Sequence, residues 1–195
     1  MASKRRMGPR DSEASHAMLD AAERVLREEG HAVLSSRRVA EGAGRQQQLG
    51  YYHFRPTGDL VLATFRRRAE RALAHLVELS ASDRPIAAIW DDAMLRADSR
   101  LSAEFMALAN RNEGLRTEVA AFLTQARQMQ AQAMARAWPE QGPGLGRGGA
   151  PLTPGALAFL MSAISLLKGQ ETALGVDEAH GDVRALAEWM LGREV

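Results

Sequence analysis

The 195-residue chain has no cysteine, which excludes a disulfide framework, a zinc–thiolate site and a thiol nucleophile, and is compatible with a cytoplasmic setting. No run approaches the ~18 to 20 consecutive apolar residues of a membrane helix, so a soluble protein is expected. Arg5 and Arg6 open a basic tail, but Gly8, Pro9, Arg10 and Asp11 follow where a signal peptide needs an apolar stretch, and no export signal is expected. Lysine is nearly missing: Lys4 and Lys168 stand against 23 arginines. No β-hairpin signal and no internal repeat interrupts the chain.

Hydrophobic residues make up 46% and charged residues 25%, ordinary globular values that allow one sizeable core or two small ones. The net charge of +1 hides an asymmetry. Residues 1–68 hold 13 basic and 8 acidic residues, a net +5, while residues 69–195 hold 12 and 16, a net −4. A basic N-terminal part suits a polyanion such as nucleic acid, although charge alone is equally compatible with chance.

The apolar periodicity is helical throughout, which predicts an all-α chain of about nine helices. After Ser12, the residues Met18, Leu19, Ala22, Val25 and Leu26 recur at three and four, and Gly30 stands where a left-handed residue closes a helix. Ser35 or Ser36 can cap a short second helix carrying Val39 and Ala40, ended by Gly42 and Gly44. A short polar segment, Arg45 to Tyr52, forms the third. A long helix is expected over 59–79, past the punctuation at Arg55-Pro56-Thr57-Gly58.

Asp83 before Arg84-Pro85 starts a further helix with the stripe Ile86, Ile89, Trp90, Ala93 and Met94. Two more follow, one over 101–109 and one from Leu115 to Trp138-Pro139. Residues 139–153 are rich in glycine and proline and read as a flexible loop. Thr153-Pro154 restarts the chain as cap and first helical residue, with Leu157, Leu160, Met161, Ile164 and Leu167 in one seam up to Gly175. A last helix carries Val183, Leu186, Ala187 and Met190.

The first three helices have helix-turn-helix spacing, with residues 41–44 as the turn. Arg45, Gln46, Gln47 and Gln48 present fork-shaped donors and acceptors: glutamine can bond N6 and N7 of adenine, and arginine O6 and N7 of guanine. Tyr51, His53, Arg55 and Thr57, with Ser36 at the start of the second helix, suit phosphate contacts that fix register. A glutamine run is also what a solvated surface looks like.

Residues 19–62 resemble the N-terminal domain of the tetracycline-repressor (TetR) family of bacterial transcriptional regulators. The resemblance rests on Leu19-Asp20-Ala21-Ala22, Gly30-His31, Val39-Ala40, Ala43-Gly44, and above all Tyr51-Tyr52-His53-Phe54 followed by Asp59-Leu60. It covers roughly a quarter of the chain. Three departures accompany it: Arg45 replaces a small apolar residue after the turn, Gly50 replaces an aliphatic anchor of the recognition helix, and Thr57-Gly58 occupy the place of a frequent lysine, for which Arg55 can substitute. Glycine costs such a helix about 1 kcal/mol in propensity.

The resemblance implies a dimeric regulator, expected to be a repressor, with a helix-turn-helix domain at 12–57 after a basic tail at 1–11. An effector-binding and dimerisation domain would span 58–195. It implies a palindromic duplex operator, a small apolar or amphipathic effector, a homodimer through 154–174 and 182–191, and an effector pocket among the helices that carry Trp90, Met94, Phe105, Met106, Asn110, Phe122, Met129 and Met161. Methionine and aromatic residues at helical spacing also simply fill cores. Tyr52 and Phe54 are expected in the domain core. Lys4, Arg5, Arg6 and Arg10 read as a solvated tail or a groove-reaching arm, and Arg66-Arg67-Arg68 as a solvated face rather than a phosphate clamp.

No catalytic residues, metal ligands or cofactor site are expected. His16, His31, His53, His75 and His180 are dispersed without a paired helical spacing. Asp91 and Asp92 diverge by about 100° on a helix. Gly142 to Gly149 lacks the lysine and hydroxyl of a phosphate-binding loop, and Asp177, Glu178, His180 and Asp182 read as helix-capping residues as readily as a cation site. The alternative is a helical small-molecule-binding protein whose operator binding is impaired through Arg45 and Gly50.

Overall fold

The computed structural model describes residues 13–44, 57–95, 99–141 and 152–190. Among the described residues there are eight α-helices, one short 3-10 turn and no strand. They are α1 (Glu13–Glu28), the turn His31–Val33, α2 (Ser36–Gly42), α3 (Thr57–Ser80), α4 (Pro85–Leu95), α5 (Ser99–Ala109), α6 (Glu113–Gln141), α7 (Pro154–Ala173) and α8 (His180–Met190). The all-helical class expected from the periodicity is observed. The N-terminal tail, the recognition segment and the middle of the glycine-rich loop lie outside the described residues.

Local chemistry sets most of the boundaries. Ser35 is the cap of α2, its hydroxyl accepting from the Arg38 amide at 3.1 Å, which leaves Ser36 as the first helical residue. Thr153 does the same for α7, accepting from the Ala156 amide at 3.1 Å ahead of Pro154. Helix α4 begins at Pro85, whose fixed φ and missing N–H suit a first position. Helix α6 runs to Gln141, past the Trp138-Pro139 end expected from the sequence. Proline forfeits one hydrogen bond, but its φ is itself helical, and near a terminus that loss does not redirect the backbone.

Chain contacts divide the molecule into two units, residues 1–69 with 103–120, and residues 70–102 with 121–195. Helices α3, α5 and α6 each contribute residues to both. In the first unit, Met18, Leu19, Ala21, Ala22, Val39, Ala40 and Leu60 form one buried cluster, with Leu34, Ala43 and Ala63 packed against it. The alanines let α1 and α2 approach closely. In the second, Leu76, Ile86, Ile89, Trp90, Ala133, Met134, Leu157, Ala158, Met161 and Ala187 form the core, uniting the sequence stripes of α4 and α7. Ser165 Oγ donates to the Ala93 carbonyl at 2.8 Å and Lys168 Nζ to that of Met94 at 3.2 Å. The last turn of α4 is thus capped by a hydroxyl and a cation, the charge that its negative end favours. No helix among the described residues is long and apolar enough to cross a membrane.

The corner after α1 is closed over a distance of 73 residues. Gly30 has φ +83° and ψ 175°, a combination open to glycine and strained for other residues. Beside it, the Glu104 carboxylate accepts from the His31 backbone amide at 2.9 Å and lies 2.5 Å from its Nδ1. A Cβ at position 30 would come 3.2 Å from Glu104 Oε1. Further along, Arg38 of α2 grips Glu29 with Nε at 3.0 Å and Nη2 at 2.6 Å. The hydrogen bond from Arg38 holds the Glu29 carboxyl below its ordinary range, and the same bond raises the Arg38 guanidinium.

Two outcomes are expected. Gly30→Ala destabilises the fold by about 1–3 kcal/mol through backbone strain, read as a lower urea midpoint at unchanged slope. The depressed Glu29 carboxyl contributes stability above its ordinary value of 4.5, and that contribution is lost as pH falls through the lower folded value. Acidification from neutrality to about pH 3 therefore lowers the Tm of the wild type more than that of Arg38→Met, a difference seen by circular dichroism melts.

Candidate nucleic-acid interface

The described part of the candidate helix-turn-helix is built on α1. Its buried residues Met18, Leu19, Ala21, Ala22, Val25 and Leu26 form the apolar stripe expected from the sequence, and Val39 and Ala40 of α2 join the same core at 0% exposure. After α2 the chain turns through Ala43 and Gly44. The Ala43 amide donates to the Val39 carbonyl at 2.9 Å and the Gly44 amide to that of Glu41 at 3.1 Å. Gly44 takes φ +63°, the left-handed conformation that glycine adopts without penalty. Arg24, from the exposed side of α1, donates Nη2 to the Gly42 carbonyl at 2.7 Å.

Of the residues singled out for DNA, Ser36 is 6% exposed and buried against the first unit's core, and Thr57 is the first residue of α3. Arg45, Gln46, Gln47, Gln48, Tyr51, His53 and Arg55 lie outside the described residues, as do Gly50 and the core candidates Tyr52 and Phe54. Arg37, which the sequence reading does not single out, has a side chain 71% exposed on the first turn of α2, with a loose 3.7 Å contact to Glu41. Its signal in the sequence is its position, one residue past Ser36.

The Arg66-Arg67-Arg68 run, expected as a solvated face, is exposed at Arg66 and half-buried at Arg67 and Arg68, and all three meet carboxylates. Arg66 Nε donates to Glu118 at 3.0 Å, Arg67 Nη2 to Asp20 at 2.7 Å, and Arg68 Nη1 lies 4.0 Å from Glu23. The run fastens α3 to α1 and α6 within the first unit. Part of the N-terminal positive charge is thereby neutralised internally, and Arg37 stands out as an exposed cation.

The effector candidates fall into two groups. Trp90 and Met161 are in the second unit's core, with Met94 and Met129 packed against it, and Phe122 is half-buried in that unit. Phe105, Met106 and Asn110 belong to the first unit. There Phe105 meets Phe65 edge-on with ring centroids 5.2 Å apart, a favourable aromatic geometry. Met106 is exposed, and the Asn110 carbonyl accepts from Arg116 Nη2 at 2.9 Å. Among the described residues no group of three or more acidic or histidine side chains is placed to hold a metal ion.

Several large apolar side chains stand in solvent on α7 and α8. Phe159 is 54% exposed, Leu167 56%, Leu186 55% and Trp189 63%. Arg127 of α6 lies over the Phe159 ring at 4.6 Å.

No family model matches the chain, and no curated protein does. Solved structures do. A protein of Rhodococcus sp. described as a TetR-family transcriptional regulator is 24% identical with a TM-score of 0.69, over 90% of this chain and 96% of that one. A TetR transcription regulator of Haloarcula marismortui is 18% identical with a TM-score of 0.72, over 92% and 97%. A protein of Saccharomonospora viridis described as a transcriptional regulator, in complex with choline, is 18% identical with a TM-score of 0.72, over 85% and 88%. Over 90% and 92% of its length, the fold of this chain is that of the first two, both solved TetR transcriptional regulators.

Proposed function

We propose that the protein is a ligand-responsive transcriptional regulator, a repressor that binds a palindromic operator as a homodimer and is released by a small apolar or amphipathic effector. The observation that carries this reading is the packed pair of α1 and α2 with the turn that follows it. A Ser35-capped α2 packs on α1 and turns at Gly44 directly into the Arg45–Gln48 cluster of base-reading side chains. Its work is binding rather than catalysis, and DNA as the partner places it in the cytoplasm.

Two recognition helices reach successive major grooves when a dimer holds them about 34–36 Å apart. The exposed Phe159, Leu167, Leu186 and Trp189 on α7 and α8 support the dimer seam proposed at 154–174 and 182–191, since two amphipathic helices pack on their symmetry mates as a four-helix bundle. The methionine- and tryptophan-bearing core of α4, α6 and α7 supports an effector site at Trp90, Met94, Phe122, Met129 and Met161. Phe105, Met106 and Asn110 are the effector candidates on the first unit. Choline in the similar Saccharomonospora viridis regulator illustrates the size of ligand such a fold accepts. The shared helices α3, α5 and α6 would carry the signal, with a coupling of about 1–3 kcal/mol.

Around the duplex, Gln46, Gln47 and Gln48 with Arg45 read bases. Tyr51, His53, Arg55, Thr57 and Arg37 hold phosphate, and Ser36 contributes the start of α2. Fluorescence anisotropy on a duplex recovered from a random-sequence library, against scrambled duplex across a salt series, tests the reading. Selective binding with log K falling linearly in log salt is expected. No selective duplex would leave the helical ligand-binding protein with impaired operator binding, to which Arg45 and Gly50 point.

Gln47→Ala is expected to lose about 1–3 kcal/mol at one base pair of the site. By contrast, Arg37→Gln weakens all duplexes alike and reduces the salt slope by about 1. Trp189→Asp is expected to shift the protein to monomer in analytical ultracentrifugation and to weaken operator binding with it.

A further inference from the structure

The second helix of the helix-turn-helix is seven residues long, well below the ~12–15 residues at which an isolated helix becomes even marginally stable in water. Its orientation is set by the packing of Val39 and Ala40 on α1 and by what holds its ends. The N-terminal end is held by Ser35. At the other end, the Val39 and Glu41 carbonyls accept from the amides of the turn, and the Gly42 carbonyl accepts from Arg24.

Arg24 lies 18 residues before Gly42 in sequence, on a helix whose neighbouring residues Ala21, Ala22 and Val25 are buried in the core. The guanidinium is thus mounted on the most firmly packed element of the unit. It meets a carbonyl at the negative end of α2, where a cationic donor is favoured both as a hydrogen bond and against the helix dipole. The approach is close, because a Cβ at position 42 would stand 3.6 Å from Ala21 Cβ and 3.9 Å from Arg24 Nη2. Two residues later the chain takes its left-handed turn at Gly44 and enters the Arg45–Gln48 segment.

We infer that Arg24 is a positioning residue for DNA reading: by tying the last carbonyl of α2 to α1, it fixes the turn at Ala43 and Gly44 that leads into Arg45–Gln48. Arg24 itself touches no base in this scheme. The inference rests on the operator-binding reading above, but its effect on the turn can be measured without DNA.

The test compares full-length wild type with Arg24→Met, which keeps the stem and removes the donor, and Arg24→Lys, which keeps a cationic donor. Amide hydrogen exchange is followed at Ala43 and Gly44 without DNA, and anisotropy is followed on the library-selected duplex and on scrambled duplex across a salt series. Arg24→Met is expected to speed exchange at the turn by about 3- to 10-fold and to weaken the selected duplex by a similar factor. The scrambled-duplex affinity and the salt slope stay unchanged, and Arg24→Lys recovers most of the loss. A salt slope reduced by about 1 with equal losses on both duplexes would make Arg24 a phosphate contact and overturn the inference. Unchanged exchange overturns it as well. If the wild type itself shows no selective duplex, the operator reading fails, and the exchange comparison alone decides whether Arg24 holds the turn.

Discussion

The first unit depends on a core whose central contact is made of very small side chains. Ala21, Ala22 and Ala40 are completely buried beside Met18, Leu19, Val39 and Leu60, side chains small enough for α1 and α2 to pack closely. A larger residue at any of the three would push the helices apart, and interiors packed to crystal density transmit such a displacement rather than absorb it. The polar ties around this core are arranged to the same end. Ser35 and Arg24 hold the two ends of α2, the Arg38–Glu29 pair joins it to the end of α1, and Arg67 braces α1 against α3 through Asp20.

What the sequence made legible is the chemistry that acts over a few residues. A serine cap at Ser35 or Ser36, the Thr153-Pro154 start, the glycines that end α2 and the apolar stripes of α1 and α4 all follow from hydroxyl acceptors, fixed dihedrals and a 3.6-residue period. The Arg66-Arg67-Arg68 run was not legible, because its partners Glu118, Asp20 and Glu23 lie on other helices and no local pattern announces them. Glu104 is a sharper case: nothing around it on α5 distinguishes the carboxylate that closes a corner 73 residues earlier. The candidate site shows the same division. Its motif residues were readable as a resemblance, whereas the donor at Gly42 came from an arginine that looks like ordinary solvated surface.

The two units use their apolar residues differently. In the first, large side chains such as Phe65 and Phe105 are turned inward, nearly removed from solvent. In the second, Trp90, Met134 and Met161 fill the core while Phe159, Leu167 and Trp189 stand outside it. Exposed side chains of this size are the ones on which the dimer seam proposed above rests. Methionine suits the neighbouring core, because an unbranched thioether adapts to a changing shape where a branched side chain cannot.

The first unit is discontinuous in the chain, residues 1–69 being joined by 103–120, and this sets an order on synthesis. Domains form as they leave the ribosome, N-terminal parts first, at about 5–20 residues per second. The nascent helix-turn-helix emerges without Glu104, Phe105 and Glu118, the partners of His31, Phe65 and Arg66. Its corner and its brace wait several seconds for the middle of the chain. Helices α1 and α2 are made before the residues that brace them, so a ribosome-bound fragment ending near residue 70 carries this pair without its full support.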